Sequence, residues 1–266
     1  MEADLGVDAK YGITSSMTVD LTYNTDFAQV EIDEQQINLT RFNLAFPEKR
    51  EFFLEGQGVF DFAGTGGGGG GGGGLVPQVF YSRRIGISQG APVPIRAGGR
   101  LMGRVGALSM GILNIQTDDA PANAEATNYT VVRLKSDVFS QSSVGAILTN
   151  ANPSSAGEGA NLVYAADANM LFYEHLRVNG YVARSKTSGH GGDGESYRGQ
   201  VQYDADRYGF EAQLLKVGDG FNPEVGFLRR TDFTQTSASA RFSPRPASSR
   251  YVRRLSWTAG LDRFVN

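Results

Sequence analysis

"LGVDAKYGITSSMTVDLTYN" runs from Leu5 to Asn24 and decides the fold. Leu5, Val7, Ala9, Tyr11 and Ile13 take every second position, with Asp4, Asp8, Lys10 and Thr14 on the alternate phase. After Ser15 and Ser16 the rhythm resumes: Met17, Val19, Leu21 and Tyr23 against Thr18, Asp20, Thr22 and Asn24. Period two over about ten residues is a strand with one apolar and one polar face. Two such strands across a two-residue break predict a hairpin.

The pattern returns further along. Ile95, Ala97, Gly99, Leu101, Gly103 and Val105 alternate with Arg96, Arg100 and Arg104, and Val132 and Leu134 with Arg133 and Lys135. Val144, Ala146 and Leu148 follow, then Leu162, Tyr164 and Ala166. Phe172, Leu176, Val178 and Val182 oppose His175, Arg177 and Asn179, with Glu174 a misfit on the apolar side. Tyr197, Val201 and Tyr203 oppose Arg198, Gln200, Gln202 and Asp204; Tyr208, Phe210, Ala212 and Leu214 oppose Glu211 and Gln213. A more polar segment runs from Phe233 to Phe242, and Tyr251, Leu255, Trp257, Ala259 and Leu261 oppose Arg254, Ser256, Thr258 and Asp262. The segment Ala107–Gln116 is ambiguous in phase.

About twelve strands of roughly ten residues suit a tilted bilayer crossing. Short turns such as "SS" and "DADR" alternate with long polar loops such as "TDDAPANAEATN" and "SKTSGHGGDGES", as in outer-membrane barrels. Soluble β-sandwiches use strands of about five or six residues and larger core side chains. The reading is therefore an all-β, antiparallel transmembrane barrel of about twelve strands. The polar face would line its lumen, since each charge facing lipid costs about 2–4 kcal/mol at mid-depth. Arg96, Arg100, Arg104, Arg133, Lys135, Arg177, Arg198 and Arg254 are the expected lumenal cations, with Asp8 and Asp20 among the counter-charges.

Composition agrees with this reading. The chain has 266 residues, net charge −3 and no cysteine, which excludes disulfides and thiolate metal sites and offers no nucleic-acid footprint. Mean hydropathy is −0.28, and no apolar run reaches the roughly 18 residues of a membrane helix. No basic start with an apolar core opens the chain, so a leader is expected to have been removed or the sequence to be an excised piece. The nine glycines Gly66–Gly74 read as a linker in place of another loop, or as a placeholder for unidentified residues. No Lys-Ser or Lys-Thr follows them, so they are not a phosphate-binding loop.

Residues 32–94 break the strand rhythm. "FPEKREFFLEG" (Phe46–Gly56) mixes rings with charge, and "GVFDF" and "FYSRRIG" follow. Such a segment suits a lumen, half against wall and half against water. Phe46, Phe52 and Phe53 would pack on the wall. Glu48, Lys49, Arg50 and Glu55 would pair with lumenal charges, with Arg83 and Arg84 as partners for the glutamates.

Three blocks in order, "DFAQVEIDEQQINLTRFNLAFPEKREFFLEG", "FYSRRIG" and "GFNPEVGFLRRTDF", resemble a family of bacterial outer-membrane β-barrels of undefined function. Its members usually carry an N-terminal domain similar to family-9 carbohydrate-binding modules. The resemblance implies a barrel in the outer membrane with residues 32–94 near or inside the lumen. The carbohydrate-binding-like domain has no counterpart here, so sugar binding is not carried over. The last residues, "GLDRFVN", stop where members run on through further strands, so a shortened barrel or a fragment of a larger one is expected.

Catalytic patterns are weak. "GISQG" (Gly86–Gly90) matches Gly-x-Ser-x-Gly, but that motif needs a strand–turn–helix elbow and a histidine base. Only His175 and His190 exist; the first reads as a lumenal polar residue, the second as solvated. Glu48 with Glu55 could imitate a glycosidase pair. Asp118–Asp119 and Asp193 with Glu195 lack calcium-loop spacing. No cofactor or metal is implied.

The functional expectation is a non-enzymatic channel passing small polar solutes, saccharides among them, through a charged lumen. The alternatives are a plugged structural or assembly scaffold and a barrel-embedded hydrolase. Expected partners are the lipid bilayer, such a solute, and other outer-membrane or periplasmic proteins, with no nucleic acid.

Overall fold

The structure is a computed structural model that describes residues 6–25, 44–64, 74–88, 91–119, 125–155, 159–189, 191, 194–246 and 253–266. Asp4, His190, Asp193, Tyr251, most of the glycine run and residues 32–43 lie outside the described residues.

The chain is all-β. Its strands are β1 (Val7–Thr14), β2 (Met17–Thr25), β3 (Ile87–Ser88), β4 (Ala91–Pro92), β5 (Ile95–Val105), β6 (Leu108–Thr117) and β7 (Asn128–Val138). They continue with β8 (Ser142–Asn152), β9 (Asn161–Phe172), β10 (Leu176–Thr187), β11 (Glu195–Asp204), β12 (Tyr208–Val217), β13 (Phe233–Phe242) and β14 (Trp257–Val265). All but β3 and β4 form one twelve-stranded sheet in the order β1-β2-β5 and then consecutively to β14. Every pairing in it is antiparallel. The only α-helix among the described residues is the single turn α1 (Glu51–Leu54), and none is long and apolar enough to cross a membrane.

One rim carries tight turns. Gly106 takes positive φ between β5 and β6, Phe139 does so between β7 and β8, and Tyr173 and Glu174 do so between β9 and β10. Tight antiparallel turns need that left-handed region. The exception on this rim is the connection of residues 243–256. The opposite rim carries the long connections, and the longest, between β2 and β5, is the irregular segment the sequence singled out.

One hydrophobic cluster joins Phe53, Phe60, Phe62, Val79 and Ile85 of that segment to inner-face residues from Ile95 in β5 to Phe233 in β13. Eight strand spacings would hold those two strands about 38 Å apart in a flat sheet. The sheet is therefore curled, with the segment on its concave face. β1 and β14 end the strand order, and no pairing between them exists among the described residues.

Two expectations need correction. Tyr173, Glu174 and His175 form the turn between β9 and β10, which removes both the Glu174 misfit and the lumenal placement of His175. The inner wall is also not uniformly polar. Leu113, Ile115, Val131, Ile147 and Val163 point inward and are almost fully buried. Toward the long-loop rim the inner face of β6–β9 is largely apolar because it seats the plug, whereas the outer face of β6 and β7 there carries a hydrogen-bonded polar ladder of Asn114, Gln116, Asn128 and Thr130.

Candidate functional site

The site is where residues 44–64 and 74–88 meet the concave wall. Its base is the turn before α1. Arg50 donates from Nε and Nη2 to the two Glu48 carboxylate oxygens at 2.9 and 2.7 Å. Its Nη1 donates to the Ile85 carbonyl, and Nη2 donates also to the Ser82 carbonyl. The Ser82 hydroxyl donates to Glu48 at 2.6 Å, and both charged side chains are almost fully buried. Burial pushes the Glu48 carboxyl up, but the hydrogen bonds and charge of Arg50, with the Ser82 hydroxyl, outweigh it and hold the group below the usual carboxylate range.

Two ion pairs and a hydrogen bond from the Ala63 amide to a wall carboxylate fasten this plug to the wall. Arg100 in β5 meets Asp20 in β2 at 2.5 Å and Glu55 of the plug at 3.1 Å. It also donates to the Phe52 and Glu55 carbonyls. Arg133 in β7 grips Asp167 in β9 through two bonds of 2.5 and 3.0 Å, and Asp167 accepts the Ala63 amide at 3.1 Å. Lys10 in β1 pairs with Glu55. That pair is half exposed, so solvent screens it. Rings complete the fit: Phe62 lies 5.4 Å from Tyr181, and the guanidiniums of Arg50, Arg100 and Arg133 sit over Phe53, Phe52 and Phe62. Opposite Phe60 stands Gly111, where a Cβ would lie 2.9 Å from the ring and from Val59.

The connection 218–232 covers the plug from the long-loop rim. Backbone bonds join Gln78 to Phe227 and Tyr81 to Val225, and Arg84 donates to the Gly226 carbonyl. The sequence blocks "FYSRRIG" and "GFNPEVGFLRRTDF" are therefore one structural unit. Glu224 is fixed there by Ser154, the Ser155 amide and Asn222.

The expected lumenal residues divide. Asp20, Arg100 and Arg133 are buried against the plug. Arg198 in β11 is half-buried, donating to Gln213 and Gln200 on the inner wall. Asp8, Lys135 and Arg177 share the inward phase, and Arg104 pairs with Asp137 near the short-turn rim. Arg96 lies at a register shift between Ile95 and Ala97, which puts buried Ile95 inward and leaves Arg96 exposed, 4.0 Å from Asp118. Arg254 precedes β14, in an exposed connection.

Within the plug, Phe53, Glu48, Arg50 and Arg83 are buried and Phe46 and Phe52 are half-buried. Lys49 is exposed. Arg83 donates to the Pro47 carbonyl, so it and Arg84 bind main chain where the sequence suggested glutamates. Ser88 of "GISQG" belongs to the short β3–β4 pairing, not to an elbow before a helix. His175 is exposed on its turn, edge-on to Tyr203 at 6.1 Å.

Sequence reasoning missed Asp167. The signal was one acid on the phase of Val163 and Ala165, the lone charge on a strand face that otherwise carries apolar residues and asparagines. It also missed the cover of residues 218–232, whose role depends on long-range pairing.

A family model described as a domain of unknown function, DUF5916, matches residues 1–94. The match spans β1, β2 and the plug. No curated protein and no solved structure matches the chain.

Proposed function

We propose that this chain is the bilayer-spanning sheet of an outer-membrane β-barrel pore for small polar solutes. The conduit runs beside the plug along the inner face of β10–β14. One observation carries the reading: the outward face of the sheet bears no charge across its middle. Its charged side chains on the described strands are Arg184, Lys186, Glu195, Lys216 and Arg263, all near the long-loop ends. Toward the short-turn rim it carries stacked rings, Tyr203 on Phe210, Tyr208 on Phe242 and Phe242 on Trp257. A soluble protein has no need of a charge-free exposed belt bordered by aromatics; a barrel facing lipid requires one.

Closure follows from cost. An open strand edge in hydrocarbon leaves its backbone groups unsatisfied at several kcal/mol each. In an antiparallel sheet of twelve strands β1 and β14 run in opposite directions, as an antiparallel closing ladder needs. The proposed conduit wall carries Arg198, Gln200, Glu211, Gln213, Gln235 and Arg241, a mixed-sign polar surface. Hydrogen-bonding groups of this kind suit hydroxylated solutes such as saccharides.

Planar-bilayer recording tests the pore. Steady ohmic current is expected, with selectivity shifted toward cations by Arg198→Glu. A protein that inserts but stays silent would refute the conduit. It would support the second reading, a plugged scaffold, which the buried Glu48–Arg50 and Arg133–Asp167 pairs favour.

A further inference from the structure

We infer that the outward surface of β7–β11 is a binding groove for one anionic, phosphate-bearing membrane lipid. The inference rests on the membrane reading above. A depression of about 560 Å³ crosses these strands, within the range of about 300–1,000 Å³ typical of small-molecule sites.

Its shape comes from strand register. One cross-strand row runs Leu134, Ala146, Ala166, Val182, Tyr197. The two central alanines make a low floor between bulkier neighbours. The row nearer the long loops places Leu148, Tyr164 and Arg184 side by side. The floor is apolar, which fits a hydrocarbon chain.

Charge supplies the other half of the ligand. Arg184 closes the groove on the long-loop side, Lys186 lies two residues beyond it, and Lys216 pairs across from Tyr197. Glu195 answers Arg184 at 3.3 Å. Arg184, Lys186 and Lys216, with the Glu195 carboxylate, all lie toward the long-loop ends of their strands. Juxtamembrane cations attract anionic headgroups. An acyl chain on the alanine floor and a phosphate at Arg184, Lys186 and Lys216 satisfy both features at once.

The test is native mass spectrometry of the protein released from bilayer discs holding equal phosphatidylglycerol and phosphatidylcholine. One retained phosphatidylglycerol is expected. Lys186→Gln and Lys216→Gln should each lower its retention about fivefold. Ala166→Phe, which fills the floor from the lipid side, should displace it while leaving insertion intact. Equal retention of the two lipids, or retention unchanged by Ala166→Phe, overturns the groove. Failure to float with phosphatidylcholine vesicles overturns the membrane reading and the groove with it. Flotation without lipid preference overturns the groove alone.

Discussion

Replacing Asp167 with asparagine isolates the charge on the inner wall. The carboxylate faces the Arg133 guanidinium through two bonds, and Arg133 is 1% exposed. Asparagine keeps one oxygen, for the Ala63 amide and Arg133 Nη2, and turns its NH2 toward Arg133 Nη1, so the plug contact survives while the counter-charge and one hydrogen bond to Arg133 are lost. Removing one partner of a buried pair costs about 3–5 kcal/mol, because the remaining charge stays desolvated. That lowers the folded-to-unfolded ratio by roughly two to three and a half powers of ten. At about 2–4 °C per kcal/mol for chains near this size, the melting midpoint should fall by roughly 6–20 °C. Thermal unfolding in micelles, followed by circular dichroism, reads it. The double variant Arg133→Met with Asp167→Leu should recover most of the loss, since apolar replacement of a buried pair is often neutral. A fall of less than about 3 °C for Asp167→Asn would refute the reasoning: water would then reach Arg133, and the plug would not seal the wall there.

Other outcomes follow from the same geometry. The Glu48 carboxyl is held below its ordinary range in the folded protein, so its contribution is fully present above the unfolded value near 4.5 and is lost as pH falls through the folded value. Limited proteolysis of the plug should stay flat from neutral pH to about 4.5 and rise below it, with the step absent in Glu48→Gln. Gly111→Val should drive Phe60 and Val59 off the wall, raising both proteolysis near residues 57–60 and single-channel conductance. Trp257, the single tryptophan, is exposed on the outward face; brominated lipids should quench its emission, and quenching by aqueous iodide alone would contradict a lipid-facing sheet.

Much of the fold was legible from Leu5–Asn24 onward. Alternation such as Val19, Leu21, Tyr23 against Asp20 and Thr22 is a backbone property, read two residues at a time, and the observed strands reproduce it. The plug was legible as a break in that rhythm. Its contacts were not. Arg50 takes Glu48 two residues away, whereas Arg83 and Arg84 turn to main-chain carbonyls of Pro47 and Gly226. Nothing local distinguishes one arginine from another when all could reach a glutamate.

Periodicity by itself determined a long-stranded antiparallel sheet with one apolar and one polar face, because side-chain direction in a strand is set by the adjacent peptide units. The tertiary structure alone decided which inward groups are buried. A one-residue shift at Ile95/Ala97 sends Arg96 to solvent while Arg100, four positions on, is sealed under Phe52. Asp167 matters only because strands β7 and β9 bring it to Arg133 beneath Phe62. Such meetings depend on register between distant segments and on a chain folding back into its own sheet, and alternation carries no information about either.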